Sequence, residues 1–114
     1  SQGYVTTALI LIRNDKLQLI DTVFTFNDWV CNFKRTQDPQ FRAGDRDGRT
    51  YSDIVVTVTE SVNPDGEPCE DNTPGIKSGT RTISARYRWD EATSSFKPDS
   101  DALLVLAKEN EERF

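Results

Sequence analysis

The residues with the clearest chemical potential in this 114-residue chain are two cysteines and nineteen carboxylates, and no histidine accompanies them. The missing imidazole removes the commonest neutral-pH acid–base group, the Ser-His-Asp triad and every histidine-containing zinc site. Two cysteines cannot complete a four-cysteine zinc site. Cys31 and Cys69 also lack a CxxC spacing and a histidine that would activate a thiolate. A Cys31–Cys69 disulfide is therefore the expectation, with a reduced pair as its alternative. Closing a segment of that length stabilises a fold by about 4 kcal/mol in the chain-entropy account. An oxidised pair places the chain in the periplasm or outside the cell.

Three aspartates, Asp45, Asp47 and Asp53, surround a glycine in Gly44-Asp45-Arg46-Asp47-Gly48-Arg49-Thr50-Tyr51-Ser52-Asp53-Ile54. Hard oxygen ligands around a tight turn suit calcium. Counted from Asp45, an EF-hand needs glycine at its sixth position and glutamate at its twelfth, where Thr50 and Val56 stand. Over about ten residues the segment resembles a degenerate calcium loop of the integrin-type propeller repeats of secreted proteins. That resemblance implies calcium on these carboxylates. Arg42, Arg46 and Arg49 supply the competing reading, a solvated loop neutralised by local ion pairs. No other cofactor is expected.

A second acidic group, Glu60, Asp65, Glu67, Glu70 and Asp71, contains no intervening Lys or Arg and carries a formal charge equal to the −5 of the whole chain. Glu67, Glu70 and Asp71 are the candidate contacts for a basic protein partner, with plain solubility as the alternative. Carboxylate-pair hydrolysis needs a fixed separation that a loop sequence does not define. Arg86 and Arg88, with Arg81 upstream, could hold anions by forked hydrogen bonds or simply wet an outer sheet face. Tyr87 and Trp89 alternate away from these arginines, and the chain is acidic, so both counts argue against nucleic acid as the partner. Trp29 fits either a core or an exposed contact.

These groups must be positioned by a lean core, since Leu, Ile, Val and Phe total 27 residues. Strand formers over Tyr4–Arg13 and Leu17–Phe26, interrupted by Asn14-Asp15-Lys16, predict a β-hairpin. Leu9 and Leu11 alternate with Ala8, Ile10 and Ile12, so the first strand is expected to be central and covered on both faces. Trp29–Phe33 alternates and should end near Arg35, before a polar stretch to Gly48. Tyr51–Val62 reads as a further strand. Ile83, Ala85, Tyr87 and Trp89 share one face opposite Thr82, Ser84, Arg86 and Arg88, and Phe96 should return beside Trp89 in a second hairpin. Asp99 or Ser100 can cap a helix near Asp101–Arg113 whose Leu103, Leu106, Ala107, Asn110 and Phe114 share a face.

The expected architecture is mainly β with a C-terminal helix: a small α+β domain of antiparallel hairpins with the helix packed on the sheet. It forms one domain over 1–114, with long loops near 35–50 and 62–80. The longest apolar run, Ala8–Ile12, is far below the roughly 20 residues that span a bilayer as a helix. The expected function is non-enzymatic protein binding outside the cytoplasm, as an inhibitor or immunity factor for a basic partner. A structural module with a calcium-stabilised loop and a small carboxylate-dependent hydrolase are the alternatives.

Overall fold

A computed structural model describes residues 2–30, 33–64 and 78–113. Strands β1 (Gln2–Arg13) and β2 (Lys16–Val30) form the first hairpin. Asn14 and Asp15 connect them with φ of 51° and 59°, the left-handed pair that a two-residue type I′ turn requires and that Asn and Asp tolerate. β3 (Phe33–Ala43), β4 (Ile54–Pro64), β5 (Gly79–Asp90) and β6 (Ser95–Pro98) follow, and α1 (Ala102–Arg113) closes the described chain. All neighbouring strands are antiparallel and the sheet order is the chain order.

The sheet curls into a half-barrel with α1 packed against it. The curl arises where β2 and β3 part: they pair only through Asp28–Val30 with Phe33–Arg35, whereas β3 and β4 pair along their full length. Val23 of β2 thereby meets Val56, Val58, Ala85 and Tyr87 of the facing strands, and Leu103 and Leu106 of α1 complete the core. The buried helical residues Leu103, Leu106, Ala107 and Asn110 follow the spacing of a single helix face. The first helical bond runs from Val105 N–H to the Asp101 carbonyl, and Ser100 Oγ accepts from Ala102 N–H at 3.4 Å. Asp99 instead extends β6, exchanging bonds with both backbone groups of Arg86. Trp89 packs edge-on against Phe96 at 5.2 Å and against Tyr51 at 4.7 Å between ring centroids.

The expected Trp29–Phe33 strand is divided, with Trp29 and Val30 ending β2 and Phe33 opening the antiparallel β3, and two further expectations are corrected. The stretch near 35–50 is largely strand: β3 runs to Ala43, and only the segment from Gly44 to Asp53 is loop. Its inward positions are Arg35 and Gln37, polar residues that find buried partners, so the period-two pattern carries no hydrophobic signature. Pro39 lies where β3 has β4 as its sole paired neighbour, the setting in which a missing N–H is tolerated. The second correction concerns β1, which is an edge strand, with Ile10 and Ile12 exposed. Residues 65–77, within the expected loop near 62–80, lie outside the described set.

A bulge sits between Leu9 and Ile10. Leu9 faces Asp21, Ile10 faces Leu19, and Ile20 is the extra residue. The two sides of β2 exchange there. Asp21 and Val23 share the Leu9 side that faces the core, while Leu19 and Leu17 join Ile10 and Ile12 on the opposite side.

Leu106→Ala is expected to cost about 2–5 kcal/mol in urea unfolding, because Leu106 is 1% exposed at the helix–sheet contact. Leu104→Ala, at a position 58% exposed, should stay within about 0.5 kcal/mol of the parent. Equal losses would contradict the helix orientation.

Candidate functional site

The Asp45–Asp53 loop is built around a tight turn. Asp47 and Gly48 have φ of 48° and 75°, and Arg49 N–H donates to the Arg46 carbonyl at 2.9 Å, closing the turn. Gly44 N–H donates to the Asp53 carbonyl and Asp53 N–H to the Asp45 carbonyl, which fastens the loop ends. A Cβ on Gly44 would stand 2.9 Å from Arg86 Nη1 and 3.1 Å from Asp53 Cβ, so glycine is what lets the chain pass.

Asp53, 1% exposed, points among arginines. Arg49 Nη2 donates to its Oδ1 at 2.6 Å, Arg86 Nη1 donates to its Oδ2 at 3.0 Å, and Arg88 Nε lies 3.6 Å from Oδ2. Asp47 lies 3.7 Å from Arg49. Among the described residues no group of three carboxylate, cysteine or histidine side chains converges as a metal site, so Asp45, Asp47 and Asp53 are not brought together as ligands. Guanidinium groups, not other carboxylates, surround the Asp53 oxygens. Burial alone pushes the Asp53 carboxyl up, but hydrogen bonds from Arg86 and Arg49 outweigh it and hold the carboxyl below its ordinary range. Arg86 and Arg88 thus serve an internal anion.

A second buried carboxylate, Glu60, anchors the far end of the concave face. Arg81 Nε donates to Oε1 at 2.7 Å and Gln37 Nε2 to Oε2 at 2.6 Å, while Arg35 and Arg113 lie 3.9 and 3.7 Å away. Arg81 also reaches Glu109 of α1 at 2.7 Å. The Gln37 and Asn110 amides exchange two hydrogen bonds, at 2.8 and 3.0 Å, and Gln37 Oε1 accepts from Phe26 N–H at 2.8 Å. Desolvation raises the Glu60 carboxyl, and the Arg81 and Gln37 bonds more than reverse it. Glu60 is therefore interior and leaves the acidic cluster in which the sequence put it. Cys31, Cys69, Glu67, Glu70 and Asp71 lie outside the described residues. Trp29 is exposed, with the Lys34 ammonium 5.3 Å above its ring.

The surface feature that residue-type reasoning missed is apolar. Ile10 and Leu19 are cross-strand partners, as are Ile12 and Leu17, and the four are 50%, 62%, 72% and 72% exposed. Ala8 with Thr22 and Thr6 with Phe24 continue the same side toward α1. There it opens into a groove of about 420 Å³ between β2, the Pro98–Asp101 segment and the first turns of the helix. Phe24, Leu103, Leu104 and Ala107 give this groove apolar walls, and Asp21, Asp99 and Asp101 also line it. The Tyr87 hydroxyl donates to Asp21 Oδ2 at 2.6 Å, and Thr22 N–H donates to Oδ1 at 2.8 Å. Burial, and then the bond to Asp21, raise the Tyr87 phenol, so it stays protonated as a donor. The signal available in sequence was the two-residue turn, which alone sets Ile12 opposite Leu17.

No protein-family model, curated protein or solved structure matches the chain. Among the described residues no helix is long and apolar enough to cross a membrane.

Asp53→Asn should destabilise the domain by about 1–3 kcal/mol near neutral pH, since it removes the buried charge to which Arg49 and Arg86 donate, while both guanidinium groups keep partial access to water. The folded-state carboxyl is depressed, so its stabilisation is full above the ordinary carboxylate range and is lost as pH falls through and below about 4. Denaturant titrations from about pH 6 to 2 should therefore show a shallower acid loss in Asp53→Asn than in the parent. Identical slopes would contradict the ion-pair account.

Proposed function

We propose that this chain is a non-enzymatic protein-binding domain acting outside the cytoplasm, of the inhibitor or immunity-factor kind, with a basic partner. The observation that carries this reading is the exposed side of the β1–β2 hairpin, where Ile10, Ile12, Leu17 and Leu19 form one apolar patch next to an edge strand. Contiguous apolar surface rimmed by polar residues characterises interaction sites. Covering the exposed parts of these four side chains gives about 4–8 kcal/mol before the cost of association. β1 also has a single charged residue, Arg13, so its open edge lacks the charges that usually discourage strand pairing. The acidic residues Glu67, Glu70 and Asp71 favour a basic partner through long-range attraction.

The extracytoplasmic part of the proposal rests on a Cys31–Cys69 bridge. Phe33 and Pro64 are cross-strand partners, so the segments that carry the two cysteines join the described sheet at one end. Non-reducing peptide mapping of protein from its native compartment should recover the linked peptides. Free thiols at both positions would refute the bridge.

The double variant Ile12→Asn/Leu17→Asn changes two exposed side chains and should keep the parent circular dichroism and thermal midpoint. Affinity purification from the native compartment, followed by direct binding to the recovered protein, should show at least about tenfold weaker binding by the variant. Unchanged affinity of a folded variant would remove the hairpin from recognition.

A further inference from the structure

Resting on the protein-binding reading, we infer that the hairpin side and the groove beside it receive a cationic amphipathic segment of the partner. Its apolar residues lie on Ile10, Ile12, Leu17 and Leu19, and a Lys or Arg enters the groove among Asp21, Asp99 and Asp101. The strand register joins the two parts. Leu17, Leu19, Thr22 and Phe24 all oppose even-numbered residues of β1, so one side of β2 runs from the turn into the groove. From Leu17 to Phe24 this track spans the length of β1 from Ile12 to Thr6, about 20 Å at the strand rise, which about six extended residues cover.

The charge of the groove selects the occupant. Two populations of carboxylates exist in the described structure. Asp53 and Glu60 are surrounded by guanidinium groups, and their charge is consumed inside the fold. Asp21 and Asp99 accept hydrogen bonds from neutral donors, the Tyr87 hydroxyl and the Thr22 and Arg86 amides, and Asp101 is exposed. Among the described residues none of these three forms a direct ion pair, although Asp99 lies within coulombic range of Arg86, and no Lys or Arg lines the groove. Negative charge beside apolar walls is complementary to an apolar segment bearing a cation. A second copy of this chain would bring the same groove carboxylates together at a net charge of −5 each. An anionic lipid surface would meet the same repulsion.

The test uses the full chain and two capped octapeptides, one alternating Leu and Lys and the other alternating Leu and Glu, followed by fluorescence anisotropy across a salt series. The Leu–Lys peptide should bind at least about tenfold more tightly than the Leu–Glu peptide, and its advantage should shrink as salt rises. Asp101→Asn should weaken Leu–Lys binding about threefold, and Ile12→Asn/Leu17→Asn or the separate Leu104→Asn should weaken binding of both peptides. The exposed positions of all three variants let circular dichroism confirm folding in each.

Equal affinity for the two peptides, or no binding of the Leu–Lys peptide, would overturn the inference. So would a dimer in sedimentation equilibrium that dissociates in Ile12→Asn/Leu17→Asn, which would make a second copy the occupant. Cosedimentation with phosphatidylcholine–phosphatidylglycerol vesicles, lost in the same variant, would overturn it in favour of a membrane. If the hairpin variant loses its native partner while neither peptide is preferred, protein binding stands and the cationic class falls. If neither partner nor peptide responds to the hairpin, both fall.

Discussion

The separation of β2 from β3 is a gap in the sheet that the Gln37 side chain closes. Beyond Arg35 the two strands share no ladder. Gln37 takes up the Phe26 N–H, and its own N–H donates to Asn27 Oδ1 at 3.0 Å. The same side chain then engages Glu60 on β4 and Asn110 on α1. Four elements thus meet at one buried amide that is 3% exposed. A hydrophobic residue there would fill space but remove the acceptor for the Phe26 amide and one of the donors to the Glu60 carboxylate, and each unmade buried bond costs about 1–3 kcal/mol. Curl of the sheet, seat of the helix and orientation of the first hairpin all follow from this junction.

How much of this could be read from residue order depends on what kind of side chain carried the pattern. The Ile83–Trp89 alternation and the Leu103–Asn110 helix face were legible because apolar residues mark their buried sides, and both stand in the structure as expected. β3 was illegible because Arg35 and Gln37 face inward as members of a polar network, and a network's satisfaction depends on partners tens of residues away. Asp53 shows the same limit at the candidate site. Its neighbours Arg49 and Arg86 are 4 and 33 residues distant in sequence, and a carboxylate in a turn looks alike whether a cation or a guanidinium completes it. The hairpin itself was legible; its exposed side was not, because straight alternation conceals the change of sides at Ile20.

Electrostatically, the molecule divides its charges by position. Arginines on β5 and in the β3–β4 loop close on Asp53 at the convex side, and Arg81 and Arg113 close on Glu60 at the end of the concave side. Buried charges of this kind gain little net stability over apolar packing, but removing one partner is costly. They therefore fix which loop and which helix end lie where. The carboxylates around the groove form no direct ion pair in these networks, and they stand at the junction of β2, the Pro98–Asp101 segment and α1.

The extra residue at Ile20 separates two histories that a regular strand would bind together. In a strict two-residue repeat, Leu17, Leu19, Asp21 and Val23 would all turn to the same side, and any change near the tip would be constrained by the core. With one residue inserted, Val23 remains in the interior while Leu17 and Leu19 are released from it. The outer third of the hairpin is consequently free to accept substitutions that redirect what it touches without disturbing what it is built on. The fold holds an exposed fingertip on a buried knuckle, and a single bulge is the joint between them.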